Sequence, residues 1–213
     1  MSRALRAVRS RPKENARRER EGLYRRLVLE AAERIFAEKG FDGARIEEIA
    51  AASGLSLGTL YSVFAGKPDV MRAVHEARSR EILARSARAA ADAAGPLEQL
   101  LAATRASVEF FVAHPDYLRI HLRGGHAWAL DAAAARTRSQ AHAWDEGIEL
   151  YSGIFESGIA KAVFHPGSPR LLARMAIAMQ QVQLADWVER GMQQDPAALL
   201  SDMHAWLRRS LCR

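Results

Sequence analysis

Between residues 40 and 68 the chain reads GFDGARIEEIAAASGLSLGTLYSVFAGKP, and several of its side chains are of the kind that touch a nucleic acid. Arg45 can pair with a phosphate or a guanine. Ser56 and Thr59 can hydrogen-bond to bases or phosphate, and Leu57 can meet a thymine methyl. Gly58 lets the backbone come close to a duplex. No Arg, Asn or Gln stands between residues 56 and 59 to make a bidentate base contact. Sequence preference is therefore expected to lean on DNA shape and on contacts made outside this segment.

Two short helical patterns must position these groups. Ile46, Ile49 and Ala50 form one apolar face, Ser53-Gly54-Leu55 interrupts it, and Leu57, Leu60, Tyr61 and Phe64 begin a second. Two short helices joined by a Gly-containing turn make a helix-turn-helix. In that motif the N-terminal residues of the second helix, here 56–59, face base edges. Gly54 suits the turn because it reaches positive φ without a steric clash, and Ser56 suits the N-cap of the second helix. Leu60 and Phe64 read as core, whereas Tyr61 is either a surface contact or core.

Phe41 after a helix-ending Gly40, then IEEIA, then SLGTLYSVFAGKPDVM resembles the DNA-binding domain of the TetR/AcrR family of bacterial regulators. The likeness runs from about Leu23 to Met71, with GTLY and the following F-x-x-K as its most specific part. It departs at Val63, where the family often places a His or Tyr on phosphate, and at Ala44-Arg45, where Thr-Thr is frequent. The resemblance implies that Tyr61 and Lys67 contact phosphate, which fixes position without reading sequence. It also implies nine helices, a C-terminal small-molecule cavity and a four-helix dimer interface, most often in a repressor.

Charge is unevenly spread. Residues 1–20 hold eight cations (Arg3, Arg6, Arg9, Arg11, Lys13, Arg17, Arg18, Arg20) against Glu14 and Glu19, which is the whole net +6 of the chain. From Glu21 to Lys67 there are six cations and seven anions, so the helix-turn-helix alone is not electropositive. Attraction to phosphate, the main source of DNA affinity, must then come largely from the N-terminus. Residues 1–17 read as a flexible basic arm of the kind that enters a minor groove, or, over their first stretch, as a solubilising tail.

The remainder is helical almost throughout. A first helix is expected from about Arg18 to Lys39, with Leu23, Leu27, Ala31 and Ile35 on its apolar face. Later ones are expected from Asp69 to about Ala94, over 97–113, 116–122, 129–157, 169–190 and 196–211, punctuated by Gly and Pro. The fold class is all-α: a three-helix DNA-binding domain at 18–67, then a helical bundle at 68–213 for effector binding and dimerisation. The helix after Pro68 joins the two and is the natural transmission element.

The cavity that the resemblance implies lies among helices between about 97 and 190. Candidate lining residues are Phe111, Tyr117, His121, Trp128, Trp144, Ile148 and Tyr151, which combine apolar bulk with a few polar tips. The reading that stands beside this is ordinary core, which an aromatic in a helical bundle more often is. Glu109, Asp145 and Glu149 are acids able to select a cation, or simply a solvated face. His114, His121 and His126 do not share one helical face across Gly124-Gly125, and no HExxH motif or Cys/His cluster accompanies them, so no metal and no cofactor is expected. Cys212 is alone, which excludes an intrachain disulfide. No apolar run approaches a membrane span.

The helix 169–190 carries apolar residues on more than one side, which a homodimer through it and the helix 196–211 would cover, as the resemblance also implies; ordinary intrachain core claims part of that surface. Nothing resembles a GxSxG elbow, a P-loop or a GxGxxG after a strand, so an enzyme is not expected. The sequence reads as a cytoplasmic, nucleoid-associated regulator that binds double-stranded DNA as a dimer on a palindrome and is released by a small-molecule effector. A constitutive or architectural DNA-binding protein is the alternative.

Overall fold

The computed structural model describes the backbone of residues 2–123 and 138–213, with side chains over 14–123 and 144–213. It divides into two compact units, Met1–Val74 and His75–Arg213. Nine helices are present among the described residues: α1 Ser2–Gly43, α2 Ile46–Ala52, α3 Leu57–Tyr61, α4 Lys67–Ala91, α5 Pro96–Ala113, α6 Pro115–Arg123, α7 Arg138–Ala160, α8 Pro169–Glu189 and α9 Pro196–Leu211. The pairing between Phe164 and Cys212 is an isolated bridge rather than a strand.

Four helix starts follow from proline. Pro96, Pro115, Pro169 and Pro196 each open a helix, where the missing N–H costs nothing because the first-turn donors have no intrahelical partner. Ser168 caps α8 by accepting from the Leu171 N–H (3.4 Å), and Asp195 caps α9 by accepting from the Ala198 N–H (3.3 Å).

In the first unit, α1 buries Val28, Ala31, Ala32, Ile35 and Phe36 against Ile49, Ala50, Leu60 and Phe64. The apolar stripe therefore begins at Val28, and Leu23, expected on it, is exposed. The helix also begins at Ser2, well ahead of the expected Arg18, so the basic run of residues 2–17 is continuous with α1. Gly40 breaks α1 as expected: its φ of 70° and ψ of 175° are non-helical, and residues 41–43 form a turn beyond it. Glu48 then caps α2 by accepting from the Arg45 N–H (3.3 Å) and from Lys39 Nζ (2.7 Å).

The second unit is built around α5, which packs on α7, α6 and α9, while α8 packs most extensively on α7. Its core joins Leu100, Ile148, Tyr151, Phe155, Ala173, Ile177 and Leu207, with Trp144 partly buried at the edge. Gly158 does not stop α7 as expected, since the helix continues to Ala160 and turns at Ala162 with φ 55°. Gly158 is instead a close approach: a Cβ there would lie 2.2 Å from the Phe164 ring. The expected start of this helix near residue 129, and the stop at Gly124-Gly125, lie outside the described residues.

Candidate DNA-binding interface

The helix-turn-helix is closed by backbone bonds that its sequence demands. Ser53 N–H donates to the Ile49 carbonyl (3.0 Å), Leu55 N–H to the Ala50 carbonyl (3.1 Å), and Gly54 turns the chain with φ 70°. Ser56 caps α3: its Oγ accepts from the Thr59 N–H (3.1 Å) and lies 2.8 Å from Thr59 Oγ1. The two hydroxyls thus form one hydrogen-bonded pair at the helix N-terminus, where the backbone dipole favours an anion. Leu60, fully buried, anchors the helix from below. Burying a Leu of this kind stabilises by about 1.5–3 kcal/mol.

On the outer side, Ser56 and Gly58 are exposed, Leu57 and Thr59 are half-buried, and Tyr61 is 50% exposed, which settles Tyr61 as a surface residue. A Cβ at Gly58 would meet nothing closer than Ser56 Oγ at 3.9 Å, so the surface above the helix is open. Arg45 is exposed, with no hydrogen bond or ion pair from its guanidinium among the described residues. Arg18, Arg20, Arg26 and Arg34 are likewise exposed without an acidic partner among the described residues, while Arg17 pairs with Glu21 and Lys39 with Glu48.

Lys67 is placed differently from the other candidates. Its ammonium donates to the carbonyls of Phe41 (2.7 Å) and Ala44 (2.9 Å), approaches that of Asp42 (3.5 Å), and sits 4.5 Å from the centre of the Phe41 ring. It ties the start of α4 to the turn between α1 and α2. A second tie went unseen in the sequence. Arg25 Nη1 donates to the Val63 carbonyl (2.8 Å), and its guanidinium lies 4.3 Å over the Phe64 ring. A cation at the carbonyl end of α3 complements the helix dipole. No local pattern could have revealed it, because the partners are 38 residues apart. Asp69 completes the frame by accepting from the Ala65 N–H (3.0 Å) and from Arg72, and the Ala65 bond, with Arg72 beside it, holds its carboxyl below the usual range.

The candidates for effector binding fall into two groups in the second unit. Phe111, Tyr117 and His121 come together: Phe111 and Tyr117 stack at 6.2 Å, and His121 lies 5.1 Å from Phe111. Ile148 and Tyr151 are buried in the core around α7, with Trp144 packed against it, and Trp128 lies outside the described residues. Glu109, Asp145 and Glu149 are on the surface, set against Arg105 and Arg170. His114 holds the Phe110 carbonyl through Nδ1 (2.8 Å), and His126 is outside the described residues. No group of three metal-binding side chains occurs among the described residues.

Comparison with known proteins agrees with this geometry. Residues 28–74 match the family model of bacterial regulatory proteins of the tetR family. Searched by sequence against curated proteins, the chain matches none. Among solved structures, the fatty acid degradation regulator FadR from Bacillus halodurans shares 20% identity at a TM-score of 0.76, covering 89% of this chain and 97% of that one. FadR from Bacillus subtilis, in complex with stearoyl-CoA, shares 18% at 0.72, covering 86% and 97%. The ketosteroid transcriptional regulator KstR2 of Mycobacterium tuberculosis shares 22% at 0.70, covering 89% and 95%. At these identities the likeness is one of fold.

Proposed function

With the DNA-binding domain of the bacterial TetR family of transcriptional regulators as premise, we propose that this chain is a dimeric repressor released from a palindromic operator by a small-molecule effector. The observation that carries the reading is α3: a helix capped by Ser56 that leaves Gly58 and Tyr61 exposed and Thr59 half-exposed, with Arg45 exposed at the start of α2. Ser56, Leu57, Gly58 and Thr59 approach the bases, Tyr61 and Arg45 the phosphates, and Lys67 supports them by holding the turn before α2. The described helices include none long and apolar enough to cross a membrane.

Dimerisation is supported by α8. Its inner side buries Ala173, Ala176, Ile177, Leu184 and Trp187, while Leu171, Met175 and Val182 on its outer side are exposed. Their spacing of four and seven residues puts them on one stripe, as a second copy would require. The apolar residues of α9 are largely spent within the chain, at Leu199, Leu200, Met203, Leu207 and Leu211. A twofold dimer sets two recognition helices about 34–36 Å apart, one turn of duplex.

For the effector, stearoyl-CoA in the complex of a protein with the same fold supports a molecule with a long apolar chain, that chain taken up among the helices of the second unit. It acts by binding one conformation better than the other, and α4, whose residues belong to both units, carries the change to the head. The test is fluorescence anisotropy on the intergenic segment beside the protein's own gene, at two salt concentrations, with apolar compounds added. Tight, salt-sensitive binding relieved by one compound supports the reading. Tight binding that no compound disturbs would make the protein a constitutive DNA binder.

A further inference from the structure

The interior of the second unit is polar in one band and carries no charge there. Among the described residues its buried polar side chains are Ser86, Thr104, Ser107, Gln180 and Gln181, with the buried Tyr151 hydroxyl beside them. Thr104, Ser107 and Phe111 lie at intervals of three and four residues on α5 and so share one face of that helix. Thr104 meets the Tyr151 hydroxyl from α7, and Ser107 accepts from Gln180 Nε2 of α8 at 2.8 Å. One turn further, Phe111 packs on Tyr117 and His121 of α6. Hydroxyls and amides thus line the middle of the bundle, with aromatic rings beyond them.

Gln181, the residue after Gln180 on α8, stands out. It is 5% exposed, and its Oε1 is sealed from solvent with no hydrogen-bond partner among the described residues. Ser86 Oγ on α4 is in the same condition. Packing does not explain the amide, because an unbranched apolar side chain would fill the same space without a stranded acceptor. Buried polar groups are satisfied in the great majority of cases, and each exception asks for a cause such as a ligand. A hydrogen bond made at such a place is stronger than one at the surface, since water does not compete and the local dielectric is low.

The charged side chains nearest this band are paired ones: Arg78 and Arg85 lie 6.0 and 5.3 Å from the Phe110 ring and each bonds Glu81. Glu109 faces Arg105, and Asp145 and Glu149 face Arg170, all on the surface. Burial holds His75, packed against Tyr117, neutral down to about 4. A carboxylate or ammonium entering the band would shed its hydration and find no charged partner among the buried side chains described there, a cost that pairing alone can repay.

We propose that the part of the effector that enters the second unit is uncharged and carries a hydroxyl or amide on an apolar framework, received by Gln181 beside the Gln180–Ser107 pair. The proposal rests on the ligand-responsive reading above and narrows it to a chemical class.

The test uses the full chain, with Gln181→Met as a near-isosteric change that removes the acceptor. Probes are alcohols and amides on a ten-carbon chain and on a fused-ring skeleton, each beside its matching carboxylate and ammonium. Direct binding is read by calorimetry, separately from release of DNA. The expected result is binding of neutral probes but not of their charged partners, weakened about tenfold by Gln181→Met. Without probe, the variant should melt no lower than the parent and bind DNA unchanged. Equal binding of charged and neutral probes would overturn the proposal, and so would binding of none. A lower melting temperature for unliganded Gln181→Met would also overturn it, by showing that the amide is needed for the fold. Neutral probes that bind through Gln181 yet leave DNA binding intact would uphold the site and sink effector-controlled release instead.

Discussion

Lys67 shows how one cation can be given two readings. Its family resemblance assigns it to phosphate, whereas here it bonds to the Phe41 and Ala44 carbonyls and caps the Phe41 ring. Hydrogen bonds to charged groups contribute about 1.5–3 kcal/mol, so Lys67→Ala should destabilise the first unit by roughly that amount, seen as a lower urea midpoint without DNA. An unchanged midpoint with weaker DNA binding would return the residue to phosphate. His75 offers a second test. The unfolded chain protonates it near 6.5 and the folded unit near 4, because burial penalises the imidazolium. Between those values the unfolded chain binds more protons, so stability should fall as pH drops from about 6.5 towards 4 and be whole above that window. The span corresponds to about 3 kcal/mol, and His75→Phe, which keeps a ring against Tyr117, should flatten that part of the curve of urea midpoint against pH.

At the level of the helices, the N-terminal stretch of α1 holds the whole excess of positive charge. Removing residues 1–16 takes away five cations and one anion, and should reduce the slope of log affinity against log salt by up to about five phosphate contacts. An unchanged slope in an anisotropy titration would mean that this stretch does not touch DNA. Where the helices lie was legible wherever a local rule decides: proline at the starts of α5, α6, α8 and α9, Gly54 and Ser56 in the turn, Gly40 after α1. It failed where tertiary contacts decide. Leu23 continues the apolar spacing of α1 yet has nothing to pack on, and Gly158 reads as a stop although α7 needs it only to admit the Phe164 ring. The ties from Arg25 to Val63 and from Lys67 to Phe41 span 38 and 26 residues, beyond any pattern that spacing reveals. The interior of the second unit was half legible: Phe111, Tyr117 and His121 were singled out and do meet, but Gln181 was not, because an amide among alternating polar residues looks like a solvated one.

For the molecule as a whole, the exposed stripe of α8 predicts assembly. Met175→Arg with Val182→Glu adds charge to residues that are 47% and 61% exposed, so neither change should unfold the chain. Sedimentation should then report a monomer, and affinity for a full palindrome should drop towards that for one half-site; a persisting dimer would place the interface elsewhere. The last residues of the second unit are bonded back to it. His165 N–H donates to the Leu211 carbonyl (2.9 Å) and Arg213 N–H to the Val163 carbonyl (3.1 Å), so the last residues are stitched to the loop after α7. The sole cysteine sits in that stitch, and burial raises its thiol above the ordinary value, leaving little thiolate to react. Cys212 is partly buried there, so its alkylation should be slow while the stitch holds and faster once it opens. Its rate is a built-in stopwatch for local unfolding, and an effector that tightens this part of the second unit should slow it without any reporter being engineered in.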